Sequence, residues 1–418
     1  MRLLTILHRV YAHKGFVYEQ PEFFGYGAGT AIRVLIRPRE GSRPICSGCG
    51  ERRAGYDRQP EERQFQFVPL WGMAVFFAYR MRRVDCPQCG VVVERVPWAR
   101  GKERCTEAFG WFLTFWAKLL SWQQVAKTFG VSWNTVFSAV ERAVEWGLAR
   151  RDVSGVEAIG VDEVQWQLGH KYLTLVYQIE EGCKRLLYVG LDRTAVSLHG
   201  FFDSVEESVA AGLKYVCSDM WRPYLEVLAQ RAAQAIHVLD RYHLVARLNK
   251  AVDEVRAEEA RRMKADGFEP VLKHSRWCLL KQPENLTDQQ TVKLRELLKY
   301  NLRSVRAYLH KEDLQRLWEY ESPIWAGRFL REWITRVLRS RLEPMKKVAR
   351  SMRSHLALIL NWFEACGTVS AGSVEGKNYQ VKLALKNAYG FRTFRAAEIA
   401  LFHKLGALPE SELTHRFV

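Results

Sequence analysis

Three acids lie far apart in an otherwise strongly basic chain: Asp162 in GVDEV, Asp219 in CSDMW and Glu375 in SVEGK. Gathered without a cation they would repel one another, and some would stay protonated. Gathered around one, they offer hard oxygen ligands that suit Mg²⁺ or Mn²⁺. Two such ions about 4 Å apart activate the nucleophile on one side of a phosphodiester and stabilise the leaving oxygen on the other. Any one of these acids alone is more often a solvated surface group; their placement together carries the signal. The catalytic candidates are therefore Asp162, Asp219 and Glu375, with two Mg²⁺ or Mn²⁺ ions between them.

A second constellation is built from cysteine. Cys46-Ser-Gly-Cys49-Gly50 and Cys86-Pro-Gln-Cys89-Gly90 are two CxxC turns, each followed by glycine. Such a turn presents two thiolates to one tetrahedral ion, and two turns complete a zinc ribbon. Four thiolates leave no open position, so one Zn²⁺ at Cys46, Cys49, Cys86 and Cys89 is structural. The alternative is four reduced thiols that bind nothing.

These residues need elements to hold them. Residues 31–38, 65–68 and 75–84 read as strands around the cysteine pairs, with a turn at 69–72. Residues 106–120 turn helical and aromatic. Ser121 then caps a short helix, Gly130 makes a turn, and Ser132 caps a second helix whose Val136 faces inward. This spacing predicts a helix-turn-helix, with Trp133, Asn134, Ser138 and Arg142 exposed toward DNA. Its bland counterpart is a helical hairpin in a core. Strands follow at 158–164, 171–179, 185–191, 213–219 and 235–239, with helices at 195–211 and 223–233. The order β-β-β-α-β-α-β is that of an RNase H-like mixed five-stranded sheet. Its first and fourth strands are neighbours, so Asp162 and Asp219 would face one cleft. From 241 the pattern is helical for more than a hundred residues, an all-helical insertion. The stretch from Gly372 then predicts a helix capped by Ser373, with Val374, Val381, Leu385 and Ala388 on its buried stripe. Glu375 falls one residue off that stripe. Lys377, Asn378 and Lys382 flank it and are expected to contact DNA.

The totals agree with a polyanionic partner. The 418 residues carry 63 Lys and Arg against 46 Asp and Glu, a net charge of +17 and a pI near 9.5. No apolar run is long enough to span a bilayer, and the N-terminus lacks a signal-peptide layout. Nine cysteines, four of them paired in spacing, fit a reducing cytoplasm. The fold class is thus multidomain, α+β with α/β. It comprises a zinc-ribbon domain over 1–104, a helix-turn-helix domain over 105–150, a catalytic domain over 151–260 and 367–418, and the helical insertion over 261–366.

Nearly the whole chain resembles the DDE transposases of the bacterial insertion-sequence family called ISL-three. The resemblance rests on CSGCG and CPQCG, on PLWG and RMRRVDC between them, and on VDEVQWQLGHKY, LDRT, SDMWRPY and LDRYHL. Its most specific piece is SVEGKNYQVKLALKNAYGFR. Where the family continues VEG with two asparagines and an isoleucine-lysine pair, this chain has Asn378, then Tyr379, Gln380, Val381 and Lys382. The resemblance places the catalytic triad on Asp162, Asp219 and Glu375. It implies a cytoplasmic, nucleoid-associated enzyme that binds terminal inverted repeats, cleaves the strand and transfers it to target double-stranded DNA, as a homodimer or larger complex. His243 and Arg241 in DRYHL could contact phosphate near the site, but read better as helix-start residues and are left out of the site. Two rival readings are a DNA-binding regulator on an inert scaffold, and a metal-dependent nuclease or resolvase without strand transfer.

Overall fold

The computed structural model describes residues 3–268, 271–365, 371–388 and 390–417; of these, the side chains of 28, 371–373 and 375 lie outside the description. The chain divides into two compact units, Met1–Arg151 with Lys386–Val418, and Asp152–Leu385. The C-terminal segment expected to complete the catalytic domain is therefore split. From Lys386 onward it packs with the first unit.

The first unit begins with α1 (Leu3–Val10) and the strands β1 (Phe16–Tyr18), β2 (Glu22–Phe24), β3 (Ala31–Pro38), β4 (Ala54–Arg58), β5 (Arg63–Leu70), β6 (Met73–Tyr79), β7 (Arg82–Cys86) and β8 (Gly90–Val93). Among the described residues, β1, β3, β6 and β5 form one sheet with β2 at the edge, and β4, β7 and β8 form a second. The expected strand over 75–84 is two strands, one in each sheet. Trp98 is fully buried against the rings of Phe16, Phe65 and Tyr79. Three helices follow: α2 (Glu107–Leu119), α3 (Trp122–Phe129) and α4 (Trp133–Leu148). Ser121 and Gln124 form a reciprocal capping box on α3. Gly130 then turns the chain at φ 64°, where a side chain is disfavoured, and Ser132 caps α4. Val136 is fully buried, as its spacing predicts.

The second unit opens with β9 (Ala158–Gln167), β10 (Lys171–Glu180) and β11 (Cys183–Leu191). After α5 (Ala195–Ser204) and α6 (Glu207–Ala211) come β12 (Tyr215–Ser218), α7 (Arg222–Arg231) and β13 (Ile236–Leu239). The single helix expected over 195–211 is interrupted where Val205 turns extended and packs on the core. The strands lie in the order β11-β10-β9-β12-β13, antiparallel among the first three and parallel thereafter. Leu173 through Ile179 are all buried, as befits a strand covered on both faces. Alternation along the strands decides what each face sees. Ile159, Val161 and Val176 join Leu198, Phe201 and Tyr224 in one core. Gly160, Asp162 and Tyr177 point to the other face.

Helices α8 (Arg241–Ala265), α9 (Arg276–Leu280), α10 (Asp288–Leu297), α11 (Arg303–Gln315), α12 (Pro323–Arg339), α13 (Glu343–Ser354) and α14 (Leu356–Glu364) form the helical region, around a core that includes Leu248, Val252, Leu330, Trp333 and Met345. Then comes α15 (Ala371–Asn387), and in the first unit α16 (Phe394–Leu405). Ser373 lies inside α15 and is not its N-cap, because the helix already includes Ala371. Val374, Val381 and Leu385 are buried as predicted. No helix among the described residues is long and apolar enough to cross a membrane.

Candidate active site and zinc centre

The zinc centre assembles from local chemistry. Cys46, Cys49, Cys86 and Cys89 bring their sulfurs within 4.8 Å of one another. Cys49 Sγ lies 3.7 Å from Cys86 Sγ. A tetrahedral ion with Zn–S bonds of 2.3 Å sets sulfurs about 3.8 Å apart, so the four thiolates fit zinc. Gly50 and Gly90 take φ values of 77° and 72°, which turns the chain after each pair. At Gly48 the constraint is space, since a Cβ there would sit 2.7 Å from Cys89 Sγ.

The acid site depends on strand register. Cys217 pairs with Gly160 and Ser218 with Leu239. Two residues further along the first pairing, Asp219 stands beside Asp162; one residue further along the second, it stands beside Asp240. Asp219 and Asp240 thus follow directly on the ends of β12 and β13, Asp162 stands beside them midway along β9, and all three are buried. Asp162 Oδ1 accepts the Glu163 amide at 2.7 Å, and its Oδ2 accepts from the Asn378 amide nitrogen. Asp219 Oδ1 accepts the Trp221 amide at 2.9 Å, and Oδ2 accepts from Arg193 at 2.8 Å. Arg193 also pairs with Glu163 at 2.9 Å. Asp240 caps α8, and this sets His243 one turn in, with Nε2 3.7 Å from Asp240 and 3.8 Å from Asp162.

Electrostatics follow from this crowding. Burial, then the charges of Asp162 and Asp219, push the Glu163 carboxyl up to about 7. Asp162 is the main reason that the His243 imidazole rises to about 9, with Asp240 and Asp219 adding to it while burial opposes. Two protein cations, Arg193 and His243, thus partly neutralise the cluster. One ligand atom each from Asp162, Asp240 and His243 lies within 4.8 Å of the others, close enough to share an ion. Carboxylate oxygens predominate in the cluster, which suits a hard divalent cation.

The expected residues divide as follows. Asp162 and Asp219 come together. Glu375 lies in α15, and its side chain is outside the described residues. Asn378, expected at DNA, is buried between Asp162 and Tyr177 instead, because both ends of its amide are engaged there. Lys382 is exposed, and Lys377 is half-buried beside Gln380. Trp133, Asn134 and Ser138 are exposed on α4, with Trp133 stacked on Phe137. Arg142 is not on that open face. It pairs with Glu103 in a small cleft with Arg100, Glu107, Trp111 and Trp146. Sequence reasoning missed Asp240, Arg193 and Glu163, and set His243 aside as a helix-start residue in preference to a phosphate contact. A signal was present: LDRYHL ends a strand in aspartate just as CSD does.

A four-thiolate zinc ribbon and a buried carboxylate cluster, in one strongly basic chain, define an enzyme of nucleic acid that uses metal ions. Residues 159–401 match the ISL3 DDE family model, described as transposase. Residues 42–89 match the zinc finger of the transposases of IS204, IS1001, IS1096 and IS1165. The chain is 28% identical to the transposase for insertion sequence element IS1001 of Bordetella parapertussis, over 87% of this chain and 89% of that one. It is 29% identical to the transposase for insertion sequence element IS1557 of Mycobacterium tuberculosis, over 92% and 91% respectively. The chain belongs to the ISL3 (ISL-three) family of DDE transposases, enzymes that cleave DNA and transfer the cut strand.

Proposed function

We propose that Asp162, Asp219 and Glu375 are the catalytic acids of an RNase H-like domain and hold two Mg²⁺ or Mn²⁺ ions. The observation that carries this is the strand register, which sets Asp219 beside Asp162 at the parallel half of the sheet. The strand order and the hydrogen bond from α15 to Asp162 agree with it, since that helix bears Glu375. Ions held there would supply Lewis acidity at the attacking and leaving oxygens of a phosphodiester. The chain's own groups do the positioning. Arg193 ties Asp219 to Glu163, and backbone amides fix one oxygen of each aspartate. Water attacks the phosphodiester at the element's end, and the freed 3′-hydroxyl then attacks target DNA in line.

Recognition of the terminal inverted repeats falls to the zinc ribbon and to α3 and α4 as a helix-turn-helix, with Trp133, Asn134 and Ser138 facing the groove. Lys377 and Lys382 would meet phosphates near Glu375. Pairing two ends requires at least a dimer in the active complex. The test is Asp162→Asn, Asp219→Asn and Glu375→Gln, assayed with end DNA labelled at its 3′ strand. Cleavage and joined product should fall by at least about 10³-fold while end binding persists. Wild-type cleavage in any of the three refutes the assignment.

A further inference from the structure

The face of the sheet that bears Asp162 also carries a buried hydrogen-bond chain behind that carboxylate. Tyr177 on β10 pairs in register with Gly160 on β9, two residues before Asp162. Its hydroxyl donates to Asn378 Oδ1 at 2.9 Å, and Asn378 Nδ2 donates to Asp162 Oδ2. The polarity of this chain is forced. An ionised carboxylate only accepts, so the amide must turn its nitrogen to Asp162. Its oxygen then needs a donor. Burial, with the charge of Asp162 behind it, keeps the Tyr177 phenol protonated and able to donate. The three side chains are nearly shut off from solvent.

The same helix face is seated by packing. Val374 lies one turn before Asn378 and rests against Gly160. Glu375 is next to Val374 in sequence and three residues before Asn378, so its place on the helix is set by these two contacts.

We infer that Tyr177 and Asn378 are positioning residues, a buried clasp that orients the Asp162 carboxylate and registers the Glu375 helix against it. The inference rests on the metal-site reading of Asp162 and names what holds that site in shape. Groups of this kind behind metal ligands change metal affinity by about 10- to 100-fold when removed.

The test uses the full chain and Mn²⁺ as the probe, with binding read by electron paramagnetic resonance in the absence of DNA. Metal dependence of end cleavage is read alongside. Asn378→Ala should weaken Mn²⁺ about 10-fold or more. It should also raise the Mn²⁺ concentration for half-maximal cleavage more than it lowers the rate at saturating metal. Tyr177→Phe, which keeps the ring and its packing, should weaken Mn²⁺ several-fold in the wild-type background and not at all in Asn378→Ala. That non-additivity is what a merely structural tyrosine would not produce. Should Asn378→Ala fail to fold by circular dichroism, Tyr177→Phe alone decides. Unchanged Mn²⁺ affinity and metal dependence in both variants, while Asp162→Asn is inactive, overturns the clasp and leaves the catalytic reading standing. Full activity in Asp162→Asn overturns both.

Discussion

Gly160→Ala is the substitution that most directly probes how the helix-borne acid reaches the strand-borne ones. Gly160 needs no special backbone angle; what it supplies is room. A Cβ there would lie 2.4 Å from Val374 Cγ2 and 3.1 Å from Ile179 Cγ2. Carbon atoms pack at about 3.5–4.0 Å, so the Val374 contact must open by roughly 1 Å or more. Val374 is β-branched and has little rotamer freedom in a helix, so the helix itself has to lift. Overpacking of this kind costs about 1–3 kcal/mol of stability. The functional loss is expected to be clearer. A displacement of about 1 Å at the reacting groups costs on the order of 10²-fold in rate. The assay is single-turnover cleavage of labelled end DNA, with urea midpoints measured in parallel. Adding Val374→Ala removes the clashing methyl and should recover most of the rate. Wild-type cleavage by Gly160→Ala refutes the reasoning. So does a double variant no better than the single, if both are folded by their urea transitions.

Two further outcomes concern the first unit. The chain should carry one zinc by atomic emission, and Cys49→Ser should lose it and expose residues 42–95 to limited proteolysis, because metal binding in such sites supplies much of the folding free energy. A metal-free chain with unchanged proteolysis would refute the zinc centre. His403 in α16 is nearly fully buried, neither ring nitrogen has a protein partner, and burial, helped by Lys118 and Lys404, lowers its pKa from 6.5 to about 3. The unfolded chain therefore takes up the proton first as pH falls. The stabilising contribution is complete above about 6.5 and is lost progressively down to about 3, amounting to about 2 kcal/mol already at pH 5. His403→Leu should flatten that part of the stability profile between pH 7 and 5. An identical slope in the variant would refute it.

How far these features were legible depends on how local their causes are. Ser121, Gly130 and Ser132 act within a few residues of themselves, so capping and turn chemistry announce them in the primary structure. The cysteine pairs are likewise local, and four thiolates have few other uses. The five strands follow from apolar runs, and their order places Asp219 near Asp162 once the topology is assumed. Asn378 reads differently. It stands among lysines and looks like a DNA contact, yet its partner Asp162 is 216 residues away and Tyr177 is 201. Arg142 has the right spacing for a recognition helix but is drawn off by Glu103, 39 residues earlier. Asp240 and His243 join the site only because β13 pairs with β12 beside Asp219, and Arg193 because its guanidinium, carried just past the end of the edge strand β11, reaches Asp219 and Glu163. Periodicity and residue type act over a few residues and can be read directly. Partner choice between distant segments is set by packing and strand register, which a linear pattern does not encode, and there the folded chain alone settled the outcome.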